Sequence, residues 1–389
     1  MDIEKLKAAV TEQVDVNRQR LSELARKIHD NPEPGFQEVK AAAWLTQFLE
    51  ENSFSVKRGI CRLPTAFRAS YGKGRPVIAL IAEYDALPGV GHACGHNISG
   101  NISTGAAVAA KLAIDQFPGC VTVIGTPAEE LYAGKAIMVK RGAFSDVDVA
   151  MMVHSGTGNT ATTSALACQN LYIEFFGQAA HAAARPEKGI NALEAMIQSF
   201  TAINSLRQHI KSSARIHGII TDGGQVSNVV PDHSAGEFIV RAEEDDYLEE
   251  LKKKVVNCFK GAAGATGARL KYKWDAVRYA PMRNNLTLAR LFVDNMKSLG
   301  RSVDLPDSGG FGSTDMGNVS QIVPTIHANV AVAPRGTLLH SPEFANAVTS
   351  EAAIDGLCDA AKTLSMVVVD LLASPETLAE VKGEFKGGQ

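Results

Sequence analysis

Residues 91–97 read GHACGHN, which places two histidines and a cysteine within five positions between glycines. Thiolate and imidazole are borderline-soft donors of the kind that hold zinc, with manganese, cobalt and nickel as further ions for such a set. A single short loop cannot complete a metal site, so partners are expected elsewhere. The candidates are Asp85 ahead of the cluster, the adjacent Glu129 and Glu130 in GTPAEE, His154 at the end of VDVAMMVH, and His340 in TLLHSPEF. Each has a bland reading by itself: a buried structural histidine, a cysteine acting as a small hydrophobe, a solvated glutamate pair. Their joint occurrence points to a metal. Successive side chains at a strand end project in opposite directions. One of the two glutamates can then bind metal while its neighbour stays free as a general base, the pairing that metal-assisted hydrolysis needs.

These residues need elements to gather them. RPVIALIAEY (75–84), CVTVIGTP (120–127) and VDVAMMVH (147–154) are apolar runs of the kind buried in a parallel sheet. Helical segments, GAAVAAKLAI and GKAIMVKRGAF, separate them. The β-α-β-α-β order predicts an α/β sheet with helices on both faces. Ligands of such sheets gather at the carboxyl ends of the strands, and every candidate up to His154 lies at such an end.

The rhythm changes after residue 165. Strands are expected at 166–177, 214–220, 234–242 and 268–276, with helices at 190–210 and in YLEELKKKVVNCFKGAA. This β-α-β-β-α-β order is that of a ferredoxin-like unit. The expected organisation is a discontinuous α/β domain, 1–165 and 277–389, with a second domain, 166–276, inserted in it. The α/β pattern resumes with the helix NLTLARLFVDNMKSLG, the strand PTIHANVAV and a long helix from about Ser341.

Composition narrows the function classes. The 389 residues carry a net charge of −3, which leaves no electrostatic footprint for nucleic acid or an anionic membrane. The amphipathic N-terminus has no apolar signal region, and MVVVDLLA is too short to cross a bilayer. Six dispersed cysteines suit a reducing compartment. A cytoplasmic location is expected.

EYDALPGVGHACGHN, GTPAEE, the VH at 153–154, GQAAHAAARPEKGINALEA, VSNVVPD, GSTDMGNVS and HSPEF occur in an order and spacing that resemble the metal-dependent aminoacylase and carboxypeptidase family. The resemblance covers nearly the whole chain. It is strongest to the amidohydrolase branch that holds auxin-conjugate hydrolases, aminobenzoyl-glutamate hydrolase and basic-dipeptide hydrolases. It implies a zinc-peptidase-like catalytic domain with an inserted lid and dimerisation domain, and two divalent metal ions, zinc first and manganese second. Cys94 would bridge the ions, and His96, Glu130, His154 and His340 would complete the ligands. Glu129 would be the catalytic base and Asp85 would orient a ligand, while His92 would only shape the loop. His181 would stabilise the oxyanion in a partner subunit's site. Asn228, Arg241, Gly309, Gly310, Ser313 and Thr314 would line the pocket for a small amide substrate with a free carboxylate. Two departures stand out: Asn97 replaces the aspartate usual after HACGH, and the acidic start of the first motif reads Ala82-Glu83-Tyr84-Asp85, which leaves Glu83 and Tyr84 without a role.

The implied reaction is hydrolysis of an amide in an N-acyl amino acid, aminobenzoyl amino acid or dipeptide. Hydrolytic deamination of an aromatic amine on the same site is the alternative. A non-catalytic binding protein and a thiol enzyme using Cys94 are further readings, disfavoured by the full ligand set.

Overall fold

The N-terminal segment forms α1 (Ile3–His29) and α2 (Val39–Glu51). Asp2 caps α1 by accepting from the Lys5 amide, and Leu6, Val10, Val14, Leu21 and Ile28 form its buried stripe. The computed structural model describes residues 2–304 and 312–387. The chain then runs through β1 (Ser55–Arg58), β2 (Phe67–Lys73), β3 (Val77–Ala82), α3 (His96–Ile114), β4 (Gly119–Gly125), α4 (Glu129–Tyr132), α5 (Gly134–Lys140) and β5 (Val149–Gly156). Next come β6 (Ala167–Phe176), α6 (Ala192–Leu206), β7 (Arg215–Asp222), β8 (His233–Ala242), α7 (Asp245–Thr266) and β9 (Arg269–Trp274). The last elements are α8 (Leu286–Ser298), α9 (Met316–Ser320), β10 (Thr325–Ala331), α10 (Pro342–Ala347), α11 (Glu351–Ala373) and α12 (Pro375–Gly387).

Contacts divide the chain into two units. The first holds the segments up to Ser164, from Met282, and from Asp315 onward. Its sheet has the order β1-β2-β4-β3-β5-β10, with β4, β3, β5 and β10 parallel and β1 and β2 antiparallel. Side chains alternate along the inner strands. Ile78 and Leu80 join a core with α1, α3 and α11, while Ala79 and Ile81 join one with Met138, Phe144, Met316 and Val319. The α/β arrangement expected from the apolar runs is therefore present.

Two details differ from the sequence reading. β1 and β2 were not anticipated, because strands as polar as SVKR and FRASYGK carry no apolar run. The single C-terminal helix is three helices. Ser350 caps α11 anew by accepting from the Ala353 amide, and Pro375 opens α12, since proline supplies no backbone N–H for a continuing helix.

The second unit comprises Ala165–Pro281 together with residues 312–314. Its four strands are antiparallel in the order β7-β8-β6-β9. Leu171, Ile173 and Phe175 of β6 pack with Met196 of α6 and with Leu251, Val255 and Phe259 of α7. β7 is an edge strand that leaves Ile219 62% exposed.

Candidate metal centre

Cys94 and His96 sit where the loop after β3 turns into α3. Gly95, at φ +76°, makes that turn, and a Cβ there would lie 2.2 Å from Ser155 Oγ. Ser155 Oγ is in turn 2.8 Å from the Cys94 carbonyl oxygen and 2.9 Å from that of Gly95, which ties the loop to the end of β5. Gly100 allows the buried helix α3 to run against the Glu83 backbone, where a Cβ would meet the carbonyl oxygen at 2.5 Å. The Glu129–Glu130 pair opens α4, between Ala128 and Ala133, both in left-handed conformations at φ 61° and 47°. Strain of this kind is held only where the surroundings dictate it. Here the buried Glu38 carboxylate accepts from the Ala128 amide at 2.8 Å, and Asp85 Oδ2 accepts from the Glu130 amide at 3.0 Å. His340, also left-handed at φ 64°, donates its amide to the Ala93 carbonyl at 2.9 Å. That bond fixes the last histidine beside the Cys94 loop.

The result is two three-residue clusters that share Cys94. Ligand atoms of Cys94, His96 and His154 lie within 4.8 Å of one another, as do those of Cys94, Glu130 and His340. Glu129 belongs to neither. It falls within 4.8 Å of His96 and Glu130 in one further group, and of Glu83 and Asp315 in another.

Hydrogen bonding settles which ring nitrogens face inward. His96 Nδ1 lies 3.0 Å from both the carbonyl oxygen and Oδ1 of Asp85, so that nitrogen points there and Nε2 faces the cluster; burial lowers the His96 pKa but Asp85, Cys94 and Glu83 outweigh it and raise it, a positive charge that a bound cation would replace. His154 Nδ1 lies 2.6 Å from the Ser155 carbonyl, which leaves Nε2 as a lone pair 3.4 Å from Cys94 Sγ. A histidine that donates one nitrogen to a carboxylate or carbonyl and aims the other at a common point is the usual arrangement of a metal ligand. Buried polar atoms without a hydrogen-bond partner among the described residues, His96 Nε2 and Glu130 Oε1 among them, fit a bound cation.

The charge balance agrees. Lys135 is fully buried and donates to Asp315 Oδ1 at 2.6 Å and to Glu83 Oε1. One ammonium thus faces the carboxylates of Glu83, Asp315 and Glu129. Burial pulls the Lys135 pKa down, but Asp315 and Glu83 outweigh it and hold the ammonium charged. Burial, then Asp315 and Glu83, push Glu129 well above the usual carboxyl range. Burial also raises the Cys94 thiol and holds His154 down to about 4. A divalent cation would favour the ionised carboxylate and thiolate in this setting.

Other expected residues fall outside this constellation. His92 is buried with neither ring nitrogen bonded among the described residues, and its pKa is held to about 3 by burial. The Asn97 amide donates to the Ala25 carbonyl of α1 at 3.3 Å, a contact between helices. Tyr84 donates to the Thr65 carbonyl at 2.7 Å and stacks on Phe67, a packing role. In the second unit, the exposed His181 accepts from the Ala183 and Ala184 amides through Nδ1. The Asn228 carbonyl accepts from the Ala182 amide, so these two segments are paired. Arg241 donates to Ser313 Oγ at 2.8 Å, and Ser313 Oγ donates to the Leu166 carbonyl. Gly309 and Gly310 lie outside the described residues.

Sequence reasoning missed Lys135, Asp315 and His327. Lys135 lies in a segment that reads as an ordinary helix, and Asp315 was visible only inside GSTDMGNVS. His327, on β10, is buried with neither nitrogen bonded among the described residues, its ring 5.6 Å from that of His154. Its signal was a histidine inside an apolar strand.

Residues 79–363 match the model of peptidase family M20/M25/M40. The mouse Xaa-Arg dipeptidase is 36% identical over 99% of this chain and 93% of its own length. One of the chains of the p-aminobenzoyl-glutamate hydrolase of Escherichia coli is 30% identical over 97% of this chain and 94% of its own. A dinuclear metal-binding M20 peptidase from Bacillus subtilis shares the fold, with a TM-score of 0.72 at 21% identity over 92% of this chain and 99% of that one. With its strand-end cluster of thiol, imidazoles and carboxylates, the chain belongs to peptidase family M20/M25/M40.

Proposed function

We propose that this protein hydrolyses the amide bond of a dipeptide, N-acyl amino acid or aminobenzoyl amino acid whose released amine carries a free carboxylate. The chain is a metal-dependent amide hydrolase. The observation that carries the reading is the pair of clusters sharing Cys94, with imidazole nitrogens aimed into them. Cys94, His96 and His154 would hold one divalent ion and Cys94, Glu130 and His340 the other. A bound metal supplies Lewis acidity toward a carbonyl and lowers the pKa of water. The thiolate and imidazole donors favour zinc over manganese.

Glu129 is the general base. It stands beside both clusters without joining either, takes a proton from the attacking water and passes it to the departing amine. Asp85 keeps His96 in the tautomer that faces the site and holds the Glu130 backbone in place. The 165–281 unit serves as lid and dimerisation domain. The edge position of β7 and its exposed Ile219 support pairing with a second copy. In that dimer His181 acts on the other copy's site as an oxyanion donor, a role typically worth about 3 kcal/mol. Asn228, Arg241 and Ser313 bind the carboxylate end of the substrate, for which the planar guanidinium of Arg241 is suited. The named substrates of the two relatives support dipeptides ending in a basic residue and aminobenzoyl-glutamate as the first compounds to try. No helix among the described residues is long and apolar enough to cross a membrane. The six cysteines are free thiols, which supports a reducing, cytoplasmic setting.

The test is a mass-spectrometric panel of dipeptides, N-acyl amino acids, aminobenzoyl-glutamate and substituted anthranilates, with and without zinc or manganese. Release of a free amino acid, abolished by chelation, is expected. Ammonia release from an arylamine, or silence in fully metallated protein, would overturn the assignment.

A further inference from the structure

Glu83 directly follows β3 in the middle of the centre, and the roles above leave it unused. Its side chain is fully buried and its two oxygens have different surroundings. Oε1 accepts from Lys135 Nζ. Lys135 is itself fixed by Asp315, which accepts from its Nζ at 2.6 Å and from its backbone amide at 2.8 Å. This anchoring sets the direction of the second oxygen. Oε2 has no hydrogen-bond partner among the described residues. It lies 3.4 Å from His96 Nε2 and 4.0 Å from His154 Nε2.

With a cation bound, both nitrogens would present lone pairs, because each ring has its Nδ1 bonded to an oxygen behind it. Three buried acceptors therefore converge. A proton shared by His96 and Glu83 would make a charge-assisted bond of about 2.7–2.9 Å, and the observed 3.4 Å is longer than that. A cation satisfies all three acceptors at once. We infer that Glu83 is a further metal ligand, its Oε2 joining Cys94, His96 and His154 as the fourth donor to the ion they hold. The inference rests on the metal-binding reading above. One sulfur, two imidazole nitrogens and one carboxylate oxygen make a four-donor set of the kind that closes a zinc site. The set sharing Cys94 with Glu130 and His340 keeps three protein donors, and the half-exposed His340 places it toward solvent. Lys135 then serves as the hydrogen-bonding partner that a ligating carboxylate ordinarily has.

The experiment titrates metal-free wild type, Glu83→Gln and Asp315→Asn with Zn²⁺ against a chromophoric chelator, and records the visible spectrum of each with Co²⁺. Wild type should bind two equivalents. Glu83→Gln should weaken one of them by at least about tenfold and shift the Co²⁺ bands, because a donor has gone. Asp315→Asn disturbs the same ion triad from its other end but removes no donor, so it should weaken that equivalent less than Glu83→Gln does and leave the Co²⁺ bands in place. Glu83→Asp keeps the charge opposite Lys135 while shortening the reach, and should weaken the same equivalent even if the amide variant folds poorly. Wild-type affinity and spectrum in both Glu83 variants would overturn the inference. So would an equal loss in Asp315→Asn, which would make the triad a scaffold only. A wild type that binds no metal would instead overturn the underlying reading.

Discussion

Asp85→Asn is a small substitution with a calculable consequence. The Asp85 side chain is fully buried and both its oxygens are in use: Oδ1 with His96 Nδ1 and Oδ2 with the Glu130 amide, each at 3.0 Å. Two donors thus meet two acceptors. An asparagine amide offers only one acceptor oxygen there, so whichever way it turns, one donor faces an NH₂ group. If the oxygen faces Glu130, the NH₂ faces His96 Nδ1. That NH₂ group favours the other tautomer, with a proton on Nε2 where the lone pair is needed. If the oxygen faces His96, the Glu130 amide is left opposed. The first arrangement wins without the change of tautomer, because His96 Nδ1 keeps the Asp85 carbonyl at 3.0 Å as an acceptor for its proton. Its cost is one unsatisfied buried side-chain amide, about 1–3 kcal/mol, next to a candidate ligand. Loss of such an outer partner typically lowers metal affinity 10–100-fold. The surviving carbonyl contact places the expectation at about tenfold, or about 1.4 kcal/mol. Equilibrium competition with a chelator measures this directly, and thermal unfolding of the metal-free protein reports the buried-amide penalty separately. Unchanged affinity for both ions would refute the account of Asp85 as the group that orders the site.

Further outcomes follow from the same geometry. Glu129→Gln should retain both metal equivalents and lose turnover by about 10²–10⁴; undiminished kcat in that variant removes Glu129 as the base. Cys94→Ala deletes the donor common to both clusters, so metal analysis should show both equivalents weakened. His340→Ala should affect one, and a Cys94 variant that keeps full occupancy would exclude the thiolate as a bridge. Glu38 gives a pH signature. Its pKa is raised from 4.5 to about 7, chiefly by burial and then by the nearby Asp85. A carboxyl with a raised folded-state pKa binds its proton more tightly in the native state. Its contribution is therefore complete below pH 4.5 and is lost as pH rises through about 7. The shift corresponds to about 3 kcal/mol across that window. Glu38→Gln should flatten the decline in urea midpoint over the window, and parallel curves for the two proteins would contradict the assignment.

Much of the fold and of the candidate site could be read in the chain itself. VIALIA, CVTVIG and VAMMVH are continuous apolar runs, and a run buried on both faces has few solutions other than an inner strand of an α/β sheet. Once those strands are placed, their carboxyl ends carry Asp85, Cys94, His96, Glu129, Glu130 and His154 to one rim. The donor types and their approximate gathering were therefore legible locally. β1 and β2 were not, because β2 draws its stability from pairing with β4 and the edge strand β1 from pairing with β2, rather than from their own composition. The contact between His340 and the Ala93 carbonyl joins residues far apart in the sequence, and no local periodicity encodes it. The same holds for the ion triad. Lys135 and Asp315 look like ordinary surface charges in their own segments, and Glu83 stands in the first motif with no partner in view. Only the packing of α5 and α9 against the end of β3 buries them together, and burial makes their pairing obligatory. The sequence by itself determined which atoms could bind metal and which strands would carry them. The tertiary structure alone decided which nitrogen of each histidine faces inward and which oxygen of Glu83 is left without a partner, because those choices depend on hydrogen bonds between segments that meet only in the fold.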